Sequence, residues 1–557
     1  MKKLFTSILF VLLFISLSAQ IAPNKYYVQF TDKNNSPYSI DNPEEFLTQR
    51  SLDRRAKYSI DVVEQDLPVN PQYLQGVASA GATILAPTKW LNGVTIYTTE
   101  QSVLDAINAL PYVENVAKMH DLYNPGKKSF FENEEYDVTK PATQKNASLI
   151  SSYDYGFAAN QIEQLNGTLL HGQGFKGEGM VIAVLDAGYD VVKTHQLFDS
   201  LWTNNQILGS MDFVDRDTNN VYAHHYHGRM VLSCMGANVE GLMVGTAPKA
   251  SYWLFRSEDG ATENVIEEYN WVSAAEYADS VGVDIINSSL GYIDFDNPFW
   301  DHTYEDMNGS TAVVTIGADI AAEKGILVVN SAGNSGGNGG FPWIGAPADG
   351  FNVFSIGAVD PNGNRAGFSS IGPTFDGRIK PVVMAQGQGS AIADDSQGVS
   401  FGSGTSFSSP ILAGMSACLM QAFPDKTPYE IMESLKDSGD NSSSPDNQYG
   451  WGIPDFMAAY STLTIITNEE EDHKNLVSIT PNPFTNEVKV KVVDKTARNI
   501  ELNLVDINGR QVFSLKREAF YNTVINISDG LSKLPSGIYF MKVRIGDFQE
   551  IEKLIKP

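Results

Sequence analysis

The sequence contains few cysteines, a deficit of basic residues and almost no long apolar stretch. Two cysteines among 557 residues exclude a disulfide scaffold and a zinc site built from cysteine. The 39 basic residues are outnumbered by 66 acidic ones, and the formal net charge of -27 disfavours nucleic acid and anionic membranes as partners. Hydrophobic residues nevertheless make up 42% of the chain, which is enough for sizeable cores and excludes global disorder.

The most apolar stretch lies at the amino terminus. Two lysines precede an apolar run at residues 4–17, and the small residues Ser18 and Ala19 follow it. This order is typical of a secretory signal peptide, so we expect residues 1–19 to be removed. A membrane anchor is the alternative, although the run is short for a spanning helix. No later stretch reaches about 18 uninterrupted apolar residues, so we expect the mature protein to be soluble.

The next region, residues 20–119, mixes strand-like and helix-like patterns. Apolar and polar residues alternate at 26–30 and 94–98, whereas residues 102–110 have helical periodicity. We therefore predict a small α+β domain. Residues 120–155 are polar and show little periodicity, so we interpret them as a linker.

Residues 156–465 alternate continuous apolar strands with helices. Apolar runs at 180–185, 283–286 and 325–329 are separated by helical stretches such as 262–281. This alternation predicts an α/β domain with a mostly parallel sheet that helices cover on both faces. In such sheets the functional site lies beyond the carboxyl ends of the strands.

The pattern changes again beyond an acidic run at 469–472. Short strands with alternating polarity follow, such as 487–492. Asn508 followed by Gly509, between two of these strands, is a strong hairpin signal. Residues 475–557 are therefore predicted to form a small β-sandwich.

Four polar residues of the middle domain lie where a strand or loop ends or a helix begins. Asp186 ends a strand predicted to be buried, and it is either a functional carboxylate held by hydrogen bonds or an ordinary turn residue. His227 precedes a predicted apolar helix, and its alternative roles are a general base, a metal ligand or a structural residue. Asn334 follows a predicted strand, and its side chain either donates a hydrogen bond to an oxyanion or belongs to a simple turn. Ser406 lies between a glycine-rich loop and a helix predicted to be buried. Its alternative roles are a nucleophile, a helix cap or part of a phosphate-binding loop.

The four residues occur in the order Asp, His, Asn, Ser, and the segments around them resemble those of the subtilisin-like serine proteases. The matching segments are Val-Leu-Asp-Ala-Gly at 184–188, His-Gly-Arg-Met-Val at 227–231, Asn-Ser-Ser-Leu-Gly at 287–291, Ser-Ala-Gly-Asn-Ser at 331–335 and Gly-Thr-Ser-Phe-Ser-Ser-Pro at 404–410. Family members commonly carry His-Gly-Thr-His at the second segment. The first histidine is the catalytic one in the family, so His227 is retained and Met230 replaces the other.

The resemblance implies a mechanism with defined roles. Ser406 attacks the scissile carbonyl, His227 transfers the proton, and Asp186 holds the imidazole in the required tautomer. Asn334 and a backbone N–H near Ser406 stabilise the oxyanion. No cofactor or catalytic metal is required for this chemistry. Many relatives bind structural calcium, for which the acidic stretch 212–220 is the candidate, and a solvated loop is the alternative reading of that stretch.

The resemblance also indicates where a substrate would bind. Ser289, Leu290 and Gly291 resemble the family's substrate edge, which pairs with an extended peptide as an added strand. The pocket walls are expected from Leu290 and Gly291 together with Ala332 and Gly333. The cleavage preference does not follow from these residues.

The flanking domains resemble known companions of this family. Residues 20–119 are similar in position and pattern to the amino-terminal prodomain, which implies a folding aid that blocks the cleft until it is removed. Residues 475–557 resemble the carboxy-terminal sorting domain of type IX secretion cargo, with an adhesion module as the alternative. The matching pieces are Pro-Asn-Pro-Phe at 481–484, Asp-Ile-Asn-Gly-Arg at 506–510, Ser-Gly-Ile-Tyr at 536–539 and the basic end at 553–557.

These features predict a secreted serine endopeptidase that is made as a zymogen. Its expected partners are protein or peptide substrates, its own prodomain as inhibitor and the secretion machinery, and we expect a monomer. The expected route leads through the periplasm to the cell surface or the medium. The alternative is a catalytically silent surface protein that uses the same scaffold for binding. Cys234 and Cys418 fall on helices predicted to be buried, either as a disulfide or as two separate thiols.

Overall fold

The computed structural model describes most of the chain beyond the expected signal peptide. The described residues are 24–119, 131, 135–137, 153–216, 221–472, 477–492, 499–507, 509–519, 523–528, 530–545 and 548–557. Residues 1–19 and most of the linker expected at 120–155 lie outside them. Among the described residues, no helix combines the length and the apolar character that crossing a membrane requires. The chain forms two compact units, one ending at Tyr460 and the other beginning at Ser461, and each is described by itself.

The amino-terminal elements form an antiparallel sheet with helices packed on it. They are β1 (Lys25–Phe30), α1 (Gln49–Lys57), α2 (Pro71–Ser79), β2 (Thr83–Thr88), β3 (Gly93–Tyr97), α3 (Gln101–Asn108) and β4 (Val113–Lys118). The strand order is β2-β3-β1-β4. Val28 of β1 and Ile96 of β3 lie in one core with Val77 of α2. The predicted α+β architecture is therefore confirmed.

The middle of the chain forms a larger sheet between helices. Its elements, in chain order, are β5 (Glu135–Asp137), α4 (Ala159–Glu163), α5 (Gly167–Gly172), β6 (Val181–Asp186), α6 (Asp199–Thr203), β7 (Ile207–Asp212), α7 (His227–Gly236), β8 (Asn238–Val239), β9 (Met243–Val244), β10 (Ser251–Arg256), α8 (Ile266–Val281), β11 (Ile285–Ser288), α9 (Val313–Glu323), β12 (Leu327–Ser331), β13 (Phe354–Val359), β14 (Val383–Gln386), β15 (Ser390–Ala393), β16 (Val399–Ser403), α10 (Thr405–Ala422), α11 (Pro428–Asp437) and α12 (Phe456–Asp472).

The large sheet has seven strands in the order β14-β13-β12-β11-β6-β10-β7. All neighbouring pairs in it run parallel. Every residue of β6 is buried, so both faces of the sheet are covered. Ala183 and Leu185 lie in a core with Trp271 of α8, whereas the alternate residues Ile182 and Val184 point to the opposite face. This arrangement confirms the predicted α/β fold class.

A small antiparallel sheet precedes the helix that carries Ser406. Its strand order is β15-β16-β5. Strand β16 ends at Ser403, and one residue, Gly404, separates it from α10. The short β5, from the region expected to be a linker, pairs with the edge of β16.

The candidate residues lie at the carboxyl ends of the central strands or at the starts of two helices. Asp186 is the last residue of β6, Ser289 follows β11 and Ala332 follows β12. His227 is the first residue of α7, and Ser406 is the second residue of α10. The fold thus brings distant segments to one edge of the sheet, as expected for an α/β domain.

In the second unit, which begins within α12, the described residues from Val477 onward form two antiparallel sheets. Its strands are β17 (Val477–Thr480), β18 (Val488–Val492), β19 (Asn499–Asp506), β20 (Gln511–Glu518), β21 (Val524–Ile527), β22 (Gly537–Ile545) and β23 (Phe548–Lys556). They pair in the orders β17-β18-β21 and β20-β19-β22-β23 around one hydrophobic core. Strands β19 and β20 form the predicted hairpin. Asn508 lies outside the described residues, and Gly509 has a φ of 77°, which glycine adopts without strain.

Candidate active site

Asp186 and His227 form a buried hydrogen-bonded pair. The Nδ1 atom of His227 lies 2.9 Å from both carboxylate oxygens of Asp186, and both side chains are fully buried. Asp186 also accepts a hydrogen bond of 2.7 Å from the backbone N–H of Ala187. These contacts supply the partners that a buried carboxylate requires. Because the carboxylate accepts, Nδ1 carries the proton and Nε2 is the basic nitrogen of His227.

Two glycines allow the close approach of these segments. A Cβ atom on Gly228 would lie 2.4 Å from the carbonyl oxygen of Gly188 and 3.0 Å from the Cβ of Asp186. Gly188 has a φ of 153°, and a Cβ there would lie 2.4 Å from the backbone nitrogen of His225. A larger residue at either position would therefore move His227 away from Asp186.

Ser406 is hydrogen-bonded to the predicted substrate edge. Its hydroxyl donates a bond of 3.3 Å to the carbonyl oxygen of Ser289, whose own hydroxyl donates one of 2.9 Å to the carbonyl of Ser406. Both residues are fully buried. The ring centroid of Phe407, the next residue, lies 6.2 Å from that of His227. The starts of α7 and α10 therefore lie side by side.

Thr405, a residue not predicted from the sequence, orients Asn334. The side-chain oxygen of Asn334 accepts hydrogen bonds from the backbone N–H of Thr405 at 2.8 Å and from its hydroxyl at 2.9 Å. The same hydroxyl accepts a bond of 3.1 Å from the backbone N–H of Gly333. Because the carbonyl end of the amide is held by Thr405, the NH₂ group is the end that can donate to a bound substrate. The sequence signal that could have indicated this role of Thr405 was its position directly before Ser406.

The predicted pocket residues line a cleft beside Asn334. Gly291, Ala332 and Gly333 contribute to its walls. The remaining lining residues are Glu263, Ile293, Asp294, Ser331, Ser335 and Gly345. Leu290 is buried and lines an adjoining cavity instead. All predicted site residues thus lie in one region of the first unit, and their roles stay predictions.

The adjoining cavity is acidic and contains an aromatic ring. Phe131, Glu258, Glu267 and Tyr292 are among the residues that line it. Burial raises the pKa of Glu258 to about 8, and the Tyr292 hydroxyl donates a bond of 2.6 Å to this carboxyl group. Burial, followed by the charge of Glu263, also raises the pKa of Glu267. The cavity therefore carries less negative charge at neutral pH than its composition suggests.

Phe131 contacts the candidate histidine although it falls in the expected linker. Its side chain is buried, and its ring centroid lies 4.8 Å from that of His227 and 4.7 Å from that of His225. Burial lowers the pKa of His225 to about 4, and the charges of His227 and Arg229 act in the same direction. His225 is therefore neutral at physiological pH.

A cluster in the stretch considered for calcium is already charge-compensated. Among the described residues, Asp212, Asp215 and His224 bring ligand-type atoms within 4.8 Å of one another. The guanidinium of Arg256 donates to Asp212 at 2.9 Å and to Asp215 at 2.5 Å. Because this cation lies among the carboxylates, the cluster does not fit a calcium ion. Residues 217–220 of the same stretch lie outside the described residues.

Comparison with known proteins finds three family profiles along the chain. The Subtilase family matches residues 177–452, the Peptidase S8 propeptide domain of Bacteroidota matches residues 25–135, and the Secretion system C-terminal sorting domain matches residues 478–557. These ranges follow one another in the order predicted from the sequence.

Individual relatives match about half of the chain. Subtilisin NAT from Bacillus subtilis subsp. natto is 30% identical over 302 residues, which is 54% of this chain and 70% of the relative. Subtilisin DY from Bacillus licheniformis is 31% identical over 292 residues, or 52% of this chain and 93% of the relative. Serine protease AprX from Bacillus subtilis (strain 168) is 30% identical over 313 residues, 51% of this chain and 66% of the relative.

Proposed function

The chain belongs to the subtilase family of serine endopeptidases, and from this premise we propose that Ser406, His227 and Asp186 form its catalytic triad. The observation that carries the proposal is the 2.9 Å contact between Nδ1 of His227 and the carboxylate of Asp186. This contact fixes the tautomer whose Nε2 can accept a proton from a serine hydroxyl.

The proposed reaction has two halves. The Oγ atom of Ser406 attacks the scissile carbonyl carbon while Nε2 of His227 accepts the hydroxyl proton, and Asp186 stabilises the resulting imidazolium. His227 then gives this proton to the leaving amine, and an acyl-enzyme remains on Ser406. A water molecule, deprotonated by His227, hydrolyses the acyl-enzyme and restores the free serine.

The negative charge that develops on the substrate oxygen needs donors. The side-chain NH₂ of Asn334 is one candidate, because Thr405 holds the other end of the amide. The backbone N–H of Ser406 is the second, since it belongs to the first turn of α10 and has no carbonyl partner within that helix. Preorganised donors of this kind stabilise a tetrahedral intermediate more than they stabilise the ground state.

Protein or peptide chains are the proposed substrates. An extended chain would pair with residues 289–291 as an added strand, and this edge is joined to Ser406 by two hydrogen bonds. The side chain before the scissile bond would then enter the cleft lined by Gly291, Ala332 and Gly333.

The amino-terminal domain is proposed to act as the inhibitor of the enzyme that follows it. Its support is an interface built on α8. Asp279 of α8 is fully buried and accepts hydrogen bonds from Arg54 at 2.6 Å, from Arg55 at 2.9 Å and from Lys89 at 3.2 Å. The side chains of Arg54 and Arg55 are almost completely buried. A cluster of this kind holds two domains in one relative position only while its charges are paired.

A second carboxylate of α8 binds the backbone of the propeptide. Glu276 accepts hydrogen bonds from the backbone N–H groups of Lys89 at 2.8 Å and of Trp90 at 2.9 Å. Tyr27 of β1 and Tyr269 of α8 add an aromatic contact with ring centroids 4.4 Å apart. These contacts support a propeptide that stays bound after a cut in the chain.

The carboxy-terminal sorting domain determines where the enzyme goes. The chain is exported through type IX secretion to the cell surface or beyond it. We propose passage through the periplasm, with a signal peptide at 1–19 and a sorting domain at 475–557. We also propose that the propeptide begins near residue 20 and the peptidase domain spans 156–465, which the profile matches at 25–135 and 177–452 support.

Fluorophosphonate labelling of the processed, secreted protein tests the proposal. A single adduct on Ser406, located by peptide mass spectrometry, is expected. Ser406→Ala should lose both the adduct and casein hydrolysis while its thermal unfolding remains cooperative. Ser408→Ala is the matched control on the same helix, since its hydroxyl bonds to the carbonyl of Thr405, and it should label normally. Casein cleavage by Ser406→Ala, or no adduct on folded processed protein, would reject the assignment in favour of a silent binding scaffold.

A further inference from the structure

We propose that the enzyme cleaves after lysine or arginine, and that Asp294 and Glu263 set this preference by binding the cationic side chain that precedes the scissile bond. This inference rests on the proposed function, to which it adds a class of substrate. Neither acidic residue belongs to the segments that resemble the subtilisin-like proteases, and that resemblance gives no cleavage preference. Both residues line the cleft beside Asn334.

The charge in the cleft is of one sign. Asp294 is exposed and Glu263 is half-buried, and among the described residues that line the cleft none is a lysine, an arginine or a histidine. The acidic cluster of Asp212 and Asp215 differs in this respect, because Arg256 donates to both carboxylates. A substrate side chain that enters the cleft therefore meets a negative potential that no lining cation offsets.

The backbone that carries Asp294 is held on both sides of that residue. Immediately before it, the carbonyl of Ile293 accepts a hydrogen bond of 2.7 Å from the backbone N–H of His302. Immediately after it, the backbone N–H of Phe295 donates a bond of 2.7 Å to the carboxylate of Asp301. The Asp294 carboxylate is thus attached to a fixed segment, so less backbone has to be ordered when it binds a ligand.

Glu263 is tied to the same segment from a second loop. Its carbonyl accepts a hydrogen bond of 2.7 Å from the backbone N–H of Asp296. Its side chain also lines the adjoining cavity, so Glu263 lies between the two spaces. Burial and, after it, the charge of Glu263 raise the pKa of Glu267, which shows that the Glu263 charge acts in this part of the cleft. Two loops, one after β10 and one after β11, therefore bring their carboxylates to one cleft.

The walls of the cleft suit the carbon stem and the head group of such a side chain. A Cβ atom on Gly345 would lie 2.8 Å from Cγ1 of Ile293, so Ile293 packs directly on the Gly345 backbone and adds an apolar surface for the stem. The hydroxyl of Ser331 donates a bond of 3.2 Å to the carbonyl of Leu290, so towards a ligand it can only accept. Lysine brings three N–H donors to these acceptors, and arginine brings five.

Uncharged and acidic side chains are disfavoured by the same groups. An aromatic or leucine side chain of the substrate would use the apolar surface, but it would displace water from the carboxylates of Asp294 and Glu263 without donating a hydrogen bond to either. An acidic side chain would be repelled. The preference is therefore decided by charge, and it should weaken when salt screens the two carboxylates.

A series of peptide anilides tests the preference on the processed enzyme. The peptides differ only in the residue before the anilide, which is arginine, lysine, phenylalanine, leucine or citrulline, the uncharged isostere of arginine. Fluorophosphonate titration counts the active sites. We expect kcat/KM for arginine and lysine to exceed that for phenylalanine and citrulline by at least about tenfold. Raising sodium chloride from about 0.05 M to about 0.5 M should lower the ratio of arginine to citrulline by about threefold.

Charge-neutralising variants assign the preference to the two residues. Asp294→Asn and Glu263→Gln should each lower the ratio of arginine to citrulline, by about tenfold for Asp294→Asn. Asp437→Asn is the matched control, because Asp437 is exposed at the end of α11 and does not line the cleft, and its ratio should equal that of the parent. The ratio compares two substrates on the same labelled sites, so a change in the fraction of folded enzyme does not alter it.

The outcomes separate this inference from the proposed function. Cleavage of the phenylalanine or citrulline anilide as fast as the arginine anilide, with a normal adduct on Ser406, would overturn the inference and leave the proposed function intact. A ratio that stays at the parent value in both Asp294→Asn and Glu263→Gln, or that falls equally in Asp437→Asn, would overturn the role given to the two carboxylates. Absence of hydrolysis of every anilide, together with absence of an adduct, would reject both.

Discussion

Replacing Asp279 with asparagine should loosen the propeptide without touching the proposed catalytic residues. Asp279 is fully buried on α8 and bonds to Arg54, Arg55 and Lys89 of the propeptide. Burial alone would raise the pKa of Asp279, but the charges of Lys89, Arg54 and Arg55 lower it to about 2. The group is therefore ionised at neutral pH, and asparagine keeps its shape while removing the charge that the three cations share.

The size of the effect follows from the burial of the pair. Removing one partner of a buried ion pair costs about 3–5 kcal/mol, because the other charge stays buried without compensation. Arg55 keeps a second carboxylate, Asp66, at 3.0 Å, whereas Arg54 loses its ion pair with Asp279. We therefore expect the lower end of the range, about 3 kcal/mol, which corresponds to roughly hundredfold weaker binding of the propeptide.

Dilution of the precursor after the propeptide has been cut from the enzyme measures this binding. Cleavage leaves propeptide and enzyme in equal amounts, so activity per enzyme molecule rises when dilution separates them, and the midpoint gives Kd. A peptide anilide reports the free enzyme, and fluorophosphonate titration counts the active sites. The Asp279→Asn midpoint should lie at about a hundredfold higher concentration than that of the parent, with kcat and KM of the separated enzyme unchanged.

Glu433→Gln provides the control for this measurement. Glu433 pairs with Lys436 at 2.7 Å on α11 and belongs to no contact with the propeptide described above. Its midpoint should coincide with that of the parent. An Asp279→Asn midpoint within about threefold of the parent would refute the reasoning, because the buried cluster would then contribute little to binding. A fall in kcat would refute it equally, since Asp279 would then support the active site itself.

Three further outcomes are expected. Asn334→Leu should lower kcat by about 10²–10³ with little change in KM, the loss measured for the corresponding donor in a subtilisin, and an unchanged kcat on a peptide anilide would exclude Asn334 as a donor. Burial raises the pKa of Glu276 to about 7 from its ordinary 4.5, so binding of the propeptide is accompanied by uptake of a proton. Raising the pH from 4.5 to 7 should therefore weaken propeptide binding. In Glu276→Gln, the Kd from the dilution assay should vary less with pH across that window. Cys234 and Cys418 are both buried and are not joined by a disulfide, and burial raises the pKa of the Cys418 thiol. Iodoacetamide at about pH 8 should therefore alkylate both only after unfolding, whereas protection of both after unfolding would indicate a disulfide.

The sequence allowed prediction of the fold where local patterns agree with burial. The apolar run at 180–185 corresponds to β6, whose residues are all buried, and the run at 283–286 corresponds to β11. Helix α1 shows the limit of this reasoning. Its charged sequence is typical of a solvated helix, yet Arg54 and Arg55 are buried because α8, more than two hundred residues later, supplies their carboxylate partner. Nothing local to residues 49–57 contains that information.

The site divides in the same way. Asp186, His227, Asn334 and Ser406 could be proposed because each lies in a distinctive segment, and Met230, which replaces the family's second histidine, is buried as a packing residue would be. Phe131 and β5 could not be predicted, because their region is polar and lacks periodicity. Strand β5 pairs through its backbone with β16, more than two hundred residues later, and no local sequence pattern indicates that pairing.

The interface on α8 has a consequence for the enzyme once its inhibitor is gone. If the contact surface were purely apolar, removal of the propeptide would expose its footprint on the enzyme as a hydrophobic patch. Such a patch would bind membranes, glycans or other copies of the enzyme. Here the footprint combines apolar residues, such as Ile266 and Tyr269, with the carboxylates of Asp279 and Glu276, which become hydrated when the propeptide leaves. Maturation therefore uncovers negative charge beside this apolar patch, on a chain that is already strongly acidic, and like-charge repulsion then opposes association of the patches of two enzyme molecules.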